Sequence, residues 1–202
     1  MSALTPGITP VDWAAAAMNA GTDKARYMPY YRRSLAKWIG RAPVIFEVGV
    51  FEGGSLRLWR DLFPAAWLHA LDINPLCARF ARPPKTNVKI GSQADPECLR
   101  QWLAEANAPV DVFIDDGSHI MDHIKITFKT VFPSMVAGTL YVIEDLGTSY
   151  WKEYGGQLRH PETAMEYLKA LVDEMHSESG LGNPLQLGGI TFHHNICFIE
   201  KR

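Results

Sequence analysis

The chain of 202 residues carries 20 Lys and Arg against 22 Asp and Glu, for a formal net charge of -2, and 47% of it is hydrophobic. This composition predicts one domain with a substantial core and argues against nucleic acid or an anionic membrane as a partner. No apolar run reaches the roughly 18 residues of a membrane span. Three cysteines without metal-binding or redox spacing predict free thiols and a cytoplasmic location.

The first part of the chain, residues 1–43, is expected to form a helical N-terminal extension. One helix is predicted to begin near Pro10 and to continue through the alanine run that ends at Ala17. A second helix is predicted over 29–39, where aromatic and apolar residues recur at helical spacing. This extension serves either as a lid over a site or as an interface between subunits.

From residue 44 onward, short apolar runs alternate with amphipathic segments. The predicted strands cover 44–48, 67–71, 88–90, 111–114 and 139–143. The predicted helices cover 55–62, 97–104, 119–131 and 163–176. A loop over 146–160 and a β-hairpin of 189–194 and 196–201 complete the chain. This alternation predicts a mainly parallel α/β sheet with helices on both faces, so residues 44–202 form the second predicted unit.

Three acids follow two of the predicted strands. Asp116 comes after the fourth strand, and Glu144 and Asp145 come directly after the fifth. Because ligands bind at the carboxyl ends of parallel strands, we expect these acids to converge there around a hard cation such as Mg²⁺. His119 lies close enough in sequence to act as a base beside that ion. The alternative is that the acids cap helices and that His119 merely belongs to a first helical turn.

A glycine-rich turn with the pattern E-x-G-x-x-x-G-G-S follows the first predicted strand. Its candidate contacts to a cofactor are Glu47, Gly49, Gly53 and Ser55. Glycines let the backbone approach a ligand closely, and Asp72 at the end of the next strand suits a ribose diol. The dinucleotide fingerprint requires a second glycine where this chain has Phe51, which disfavours a nicotinamide cofactor. A glycine turn without a ligand is the alternative.

This turn, together with Asp72, resembles that of the class I S-adenosylmethionine-dependent methyltransferases. The segments 21–24, 27–31, 115–119 and 143–150 resemble, more specifically, the bacterial metal-dependent sugar O-methyltransferases typified by the mycinamicin sugar methyltransferase. The resemblance covers most of residues 20–200. It implies a class I methyltransferase fold with a seven-stranded, mainly parallel sheet, and it implies S-adenosylmethionine and Mg²⁺ as cofactors.

The resemblance also implies roles for the acids and the histidine. Asp116, Glu144 and Asp145 would bind Mg²⁺, and His119 would be the general base. The glycine turn would wrap the amino acid part of S-adenosylmethionine, and Asp72 would hold the ribose of the cofactor.

Three further residues are candidates for cofactor contact. The loop after the third strand, with Ser92 and Gln93, would lie near the adenine in the resembling family. The Gln93 amide offers a donor and an acceptor to a base edge, although a solvated turn is an equal alternative. Asp115 either contacts the cofactor or orients the acidic segment.

The predicted function is Mg²⁺-dependent transfer of a methyl group from S-adenosylmethionine to a carbohydrate hydroxyl of a glycoside, polysaccharide or glycosylated natural product. A mycobacterial methylmannose polysaccharide is one candidate acceptor. Tyr30, Tyr150 and Trp151 are candidate contacts to the sugar, with packing in the core or at an interface as the alternative. We expect a homo-oligomer. The rival functions are a catechol-type O-methyltransferase, a nicotinamide-dependent oxidoreductase and a non-catalytic binding module.

Overall fold

The centre of the molecule is a seven-stranded sheet with the order β3-β2-β1-β4-β5-β7-β6. A computed structural model describes residues 12–176 and 184–202. The strands are β1 Val44–Val48, β2 Trp67–Asp72, β3 Thr86–Ile90, β4 Val112–Asp115, β5 Leu140–Ile143, β6 Leu187–His193 and β7 Ile196–Lys201. Strands β1 to β5 are parallel, whereas β7 is antiparallel to both β5 and β6. The predicted sheet and its closing hairpin are confirmed.

The helices lie close to their predicted positions, with two differences. They are α1 Trp13–Ala20, α2 Met28–Ser34, α3 Gly54–Leu62, α4 Pro96–Ala106, α5 Met121–Val131 and α6 Ala164–His176. The helix predicted over 29–39 ends at Ser34, and a 3-10 turn then buries Leu35 and Trp38 together. The predicted loop over 146–160 contains two short 3-10 helices. The helix start predicted near Pro10 lies outside the described residues.

Helices cover both faces of the sheet. Helices α4, α5 and α6 pack on one face, around the rings of Phe46, Phe113 and Phe128. Helices α1, α2 and α3 pack on the other face, where the Tyr31 ring lies 5.0 Å from Trp59. The described part of the N-terminal extension is therefore a layer of the core, while the domain division at residue 43 stays a prediction.

The strand register brings four connecting segments to one edge of the sheet. Val48 is paired with both Leu71 and Asp115, and Asp115 is paired with Ile143. The segments after β1, β2, β4 and β5 consequently leave the sheet side by side. Within residues 12–176 and 184–202, every helix lacks the length and apolar character that a membrane span requires.

Candidate active site

A cavity of about 700 Å³ opens at this edge of the sheet. The predicted site residues in its wall are Gly49, Ser55, Asp72, Ser92, Gln93, Asp116, His119 and Asp145. This volume lies within the range of roughly 300–1,000 Å³ that is usual for ligand pockets. The glycine turn and the acidic segment therefore face the same space.

Close packing requires two of the glycines in the turn between β1 and α3. A Cβ atom on Gly49, which has a φ of 96°, would lie 2.0 Å from the carbonyl oxygen of Asp116. A Cβ atom on Gly53, which has a φ of 71°, would lie 2.6 Å from the Phe80 ring. At Gly49, the backbone of the turn therefore packs directly against the backbone of the acidic segment. Gly53 packs against Phe80 outside the cavity wall.

Asp72 at the end of β2 is tied to the glycine turn. Its Oδ2 accepts the backbone N–H groups of Val50 at 2.8 Å and Phe51 at 3.1 Å, and its Oδ1 accepts that of Asn74 at 2.8 Å. Partial burial opposes ionisation, but the backbone hydrogen bonds prevail and lower the pKa of Asp72. Nearby, Ser92 lines the cavity and its hydroxyl accepts the N–H two residues further on at 3.1 Å.

Glu47 is predicted to contact the cofactor, but the structure gives this side chain buried protein partners. Its Oε2 accepts the Trp59 indole N–H at 3.1 Å, and its Oε1 lies 3.2 Å from Lys24 Nζ. Ser55 also hydrogen-bonds to it, and burial raises the pKa of Glu47 although Lys24 opposes that shift. Alternation along β1 turns Glu47 toward the layer formed by α1, α2 and α3. Its contact with the cofactor stays a prediction, which these buried partners disfavour.

Gln93 lines the cavity, but both ends of its amide bind protein groups. Its Nε2 donates to Asp115 Oδ1 at 3.0 Å and to Thr127 Oγ1 at 3.1 Å, while its Oε1 accepts the Ser118 N–H at 2.6 Å. The amide thus joins three segments of the site, and the expected contact of Gln93 with a base edge stays a prediction.

Asp115 lies buried beside Gln93 and outside the cavity wall. Burial raises the pKa of Asp115 to about 7, although the hydrogen bond from Gln93 favours the ionised form. Of the two roles predicted for Asp115, these contacts favour orientation of the acidic segment over contact with the cofactor.

Asp116, His119 and Asp145 converge at the other end of the cavity. His119 Nε2 lies 4.0 Å from Asp116 Oδ1 and 3.7 Å from Asp145 Oδ2. One potential ligand atom from each side chain lies within 4.8 Å of the other two, so the three could share a metal ion. This cluster contains Asp116 and Asp145 but not Glu144, the third acid predicted to converge here, and the metal-binding role of the three acids stays a prediction.

His119 precedes helix α5 and does not belong to its first turn, which corrects the sequence prediction. The helix begins at Met121, and Ile120 is its N-cap residue. His119 has a φ of 57° and Asp145 a φ of 54°, in the left-handed region that residues other than glycine rarely adopt. Residues with a left-handed backbone therefore present two of the three side chains of this cluster.

Residues of the N-terminal segment hold the acids. Lys24 Nζ lies 2.5 Å from Asp116 Oδ2. Arg26 Nη2 and the Tyr27 hydroxyl donate to Asp145 Oδ1 at 2.6 and 2.5 Å. Lys24, Arg26 and Tyr27 are not among the site residues predicted from the sequence, although the first and third lie in the segments that carry the family resemblance. The available signal was the motif itself, since a separation of 92 residues from Asp116 gives no spacing to interpret.

Glu144 faces the N-terminal segment more fully than the other two acids do. It is buried, and its Oε1 accepts hydrogen bonds from Lys24 Nζ at 2.6 Å and from the Tyr31 hydroxyl. Burial and the charge of Asp116 raise the pKa of Glu144, while Lys24 and Tyr31 favour its anion. Both hydrogen bonds reach Oε1. Glu144 lies outside the cavity wall and outside the cluster of Asp116, His119 and Asp145, so its role at the metal stays a prediction.

The predicted sugar contacts lie in different places. Tyr30 stacks on His193 of β6 at 4.0 Å between ring centroids, which gives it a packing partner on the closing hairpin. Tyr150 and Trp151 are exposed on the segment after β5. Trp151 lies 6.0 Å from the Tyr154 ring, which in turn lies 6.3 Å from that of His119. The rings of Trp151 and Tyr154 therefore extend outward from the acidic end of the cavity.

The sheet order, the closing hairpin and the cavity at the strand ends define a class I methyltransferase fold. A solved structure, the MycE methyltransferase of the mycinamycin biosynthetic pathway in complex with Mg, SAH and mycinamycin VI, matches with a TM-score of 0.85 and 31% identity. The match covers 95% of this chain and 54% of that chain. No protein-family model matches the chain.

Curated proteins that resemble the chain are sugar O-methyltransferases or other O-methyltransferases of natural products. The chain is 37% identical to 8-demethyl-8-alpha-L-rhamnosyl tetracenomycin-C 2'-O-methyltransferase of Streptomyces olivaceus, over 94% of this chain and 54% of the relative. It is 34% identical to demethylmacrocin O-methyltransferase of Streptomyces fradiae, over 87% and 48%. The chain is thus a homologue of sugar O-methyltransferases, as the sequence resemblance predicted, and it spans about half the length of the curated relatives it matches.

Proposed function

We propose that the protein transfers a methyl group from S-adenosylmethionine to a carbohydrate hydroxyl, with Mg²⁺ bound at the acidic end of the cavity. One observation carries the proposal: a single cavity joins the glycine turn and Asp72 to Asp116, His119 and Asp145. Methyl transfer requires the donor and the hydroxyl to meet in line, within reach of a base. The homologues, which are O-methyltransferases of glycosylated tetracenomycin, macrocin and mycinamicin, support the same reaction.

The residues at the glycine end fit S-adenosylmethionine. Gly49 presents bare backbone to the cavity, so a ligand can approach it closely. The carboxylate of Asp72 is held as an anion by backbone N–H groups and also lines the cavity. A carboxylate has about four lone-pair sites, so Asp72 can accept one ribose hydroxyl group in addition to its three backbone donors.

The residues at the acidic end fit a hard divalent cation. Asp116 and Asp145 offer carboxylate oxygens, the ligands that Mg²⁺ prefers. In each of the two, one oxygen is held by the N-terminal segment and the other lies on the side of His119. A divalent ion bound there would lower the pKa of a coordinated hydroxyl.

In the proposed reaction, His119 removes the proton from the acceptor hydroxyl. Its side chain lines the cavity and is 21% exposed, so a substrate can reach Nε2. In this proposal Asp116 and Asp145 hold the ion and His119 stays unbound, so that its neutral imidazole keeps a lone pair on Nε2 to accept the proton. The oxygen then forms a bond to the methyl carbon as the bond from that carbon to sulfur breaks. S-adenosylhomocysteine leaves, and the proton remains on His119.

The acceptor is proposed to enter beside Trp151 and Tyr154. Both rings lie on the segment after β5, and Tyr154 adjoins His119. Flat aromatic faces on a partly exposed segment suit the apolar face of a sugar ring. Tyr150, which is exposed on the same segment, is a weaker candidate because the ring contacts that link Trp151 through Tyr154 to His119 do not include it.

The test is an assay with methyl-labelled S-adenosylmethionine, Mg²⁺ and a panel of glycosylated polyketides, polysaccharides and catechols. Label transferred to a sugar oxygen, located by mass spectrometry of the product, is the expected result. Transfer to catechols alone would favour the catechol-type rival. Native mass spectrometry that finds a nicotinamide cofactor on the purified protein would overturn the proposal.

Two further features belong to the same proposal. Cys77, Cys98 and Cys197 are free thiols, which suits a cytoplasmic protein.

A homo-oligomer is proposed because large apolar side chains such as Trp151 and Leu158 lie exposed on the segment after β5. Light scattering on the purified protein, across a range of concentrations, would measure the number of subunits, and a monomer throughout would exclude the oligomer.

A further inference from the structure

Lys24 lies at the centre of a buried cluster of charges. Its side chain is fully buried, and its Nζ lies 2.5 Å from Asp116 Oδ2, 2.6 Å from Glu144 Oε1 and 3.2 Å from Glu47 Oε1. Burial of an ammonium group is strongly unfavourable unless it is paired and hydrogen-bonded. Three carboxylates from two strand-end segments and β1 supply that pairing. The cation in turn lets the acids approach one another.

Each of these donors binds one oxygen of a carboxylate. Lys24 holds Oδ2 of Asp116, and Oδ1 of that residue lies toward His119. Lys24 and the Tyr31 hydroxyl both hold Oε1 of Glu144. In each carboxylate the N-terminal segment fixes one oxygen. The other oxygen of Asp116 lies on the side of His119 in the cavity, while Glu144 is buried next to Asp116 and outside the cavity wall. Second-shell hydrogen bonds of this kind commonly orient metal-binding carboxylates.

The arrangement recurs at Asp145 with different donors. Arg26 and Tyr27 hold its Oδ1, while its Oδ2 lies 3.7 Å from His119 Nε2. The acids predicted to bind the metal are thus all held on one side by four residues of a short segment. These contacts do more than attach the N-terminal segment to the core, because they hold Asp116 and Asp145, which line the cavity.

We propose that Lys24, assisted by Tyr31, is the positioning residue of the metal site. It fixes the carboxylates of Asp116 and Glu144 so that their remaining oxygens face the bound cation. This inference rests on the proposed function, because it concerns the same metal. It assigns the N-terminal segment a role in binding the ion in place of the role of a lid.

A second buried lysine provides a matched control. Lys201 is also nearly fully buried, but its Nζ donates to the backbone carbonyls of Phe132 at 3.3 Å and Leu185 at 2.8 Å. It lies on β7 and contributes nothing to the cavity wall. Lys201→Met therefore reports the general effect of removing a buried ammonium, and Lys24→Met reports that effect together with the loss of positioning.

The experiment is calorimetric titration of Mg²⁺ into chelator-treated protein that holds S-adenosylhomocysteine. Lys24→Met should weaken Mg²⁺ binding by about 10–100-fold, the usual effect of removing an outer-shell partner. Tyr31→Phe should weaken it less, and Lys201→Met should leave it unchanged. In turnover assays, the concentration of Mg²⁺ needed for half-maximal rate should rise in Lys24→Met by a similar factor.

Each other outcome has a distinct meaning. Unchanged or tighter Mg²⁺ binding by a folded Lys24→Met would overturn the inference, since Lys24 would then be neutral toward the ion or compete with it. If Lys24→Met does not fold, wild-type affinity in Tyr31→Phe would overturn it. Failure of the wild-type protein to bind Mg²⁺ would overturn the metal part of the proposed function and this inference with it.

Discussion

The two ends of the cavity are built in different ways. At the glycine end, the carboxylate of Asp72 is held by backbone N–H groups that lie 2, 21 and 22 residues away in sequence. At the acidic end, Lys24 reaches Asp116 across 92 residues and Glu144 across 120. One end is a local backbone structure, and the other is an ion-pair cluster assembled by tertiary folding.

The two ends are therefore expected to have different roles, with ligand binding at the glycine end and catalysis at the acidic end. The glycine end offers fixed backbone and one carboxylate, which suit recognition of a ligand. The acidic end brings together His119 and carboxylates at the place where charge would develop in the reaction. We therefore expect changes at the acidic end to affect the rate of turnover most, and changes at the glycine end to affect cofactor binding.

Metal removal should have the largest effect. Treatment with excess chelator should reduce methyl transfer to background, because neither positioning nor activation of the hydroxyl would remain, and added Mg²⁺ should restore it. Turnover measured with labelled cofactor, with circular dichroism to verify that the fold persists, checks this. Full activity in excess chelator would show that His119 acts without an ion.

His119→Ala should reduce turnover by about 10²–10⁴-fold, the usual contribution of a positioned general base. Cofactor affinity measured by calorimetry should change little, since His119 lies at the other end of the cavity from Asp72. His160→Ala is a matched control, because His160 is an exposed histidine outside the cavity wall. A His119→Ala protein with near-normal turnover would remove the base from the mechanism.

The contrast between the two ends also explains what the sequence could predict. Strands, helices and the glycine turn follow from local patterns, such as the apolar run before Glu144 and the glycines at 49 and 53. The convergence of Asp116 and Asp145 follows from the general rule on strand ends in parallel sheets. Both predictions needed only local sequence and the topology of the fold.

Other features depend on tertiary contacts that no spacing reveals. The capture of both ends of the Gln93 amide requires β4 and α5 to lie beside the loop after β3. The left-handed backbone of His119 falls on a residue other than glycine, so the sequence did not predict it, and α5 begins only at Met121. The pairing of Lys24 with three acids likewise exists only in the folded chain.

At the glycine end, Asp72→Ala should weaken S-adenosylmethionine binding by roughly tenfold or more, since hydrogen bonds to charged groups contribute about 1.5–3 kcal/mol. Loss of the bonds to Val50 and Phe51 would also loosen the turn. Asp95→Ala is a fitting control, because Asp95 caps α4 through a backbone N–H at 2.9 Å and lies outside the cavity wall. Unchanged affinity in Asp72→Ala, measured by calorimetry, would remove Asp72 from the cofactor site.

The last effect concerns stability and not turnover, and it is expected at Asp115, which lies outside the cavity wall. Burial raises its pKa to about 7 in the folded protein, against an ordinary value of 3.8. Between these two values the folded state retains a proton that the unfolded state releases. The free energy of unfolding should therefore fall as pH rises through this window, by up to about 1.4 kcal/mol per pH unit, and level off above pH 7.

Asp115→Asn should remove this dependence, because an amide keeps an acceptor for Gln93 but carries no charge. Denaturant unfolding of both proteins with chelator present, at several pH values from 5 to about 8, measures the difference. Relative to the wild-type protein, the variant should gain stability as pH rises toward neutrality. Parallel pH profiles would show that Asp115 stays ionised in the fold, and the hydrogen bond from Gln93 would then outweigh the effect of burial.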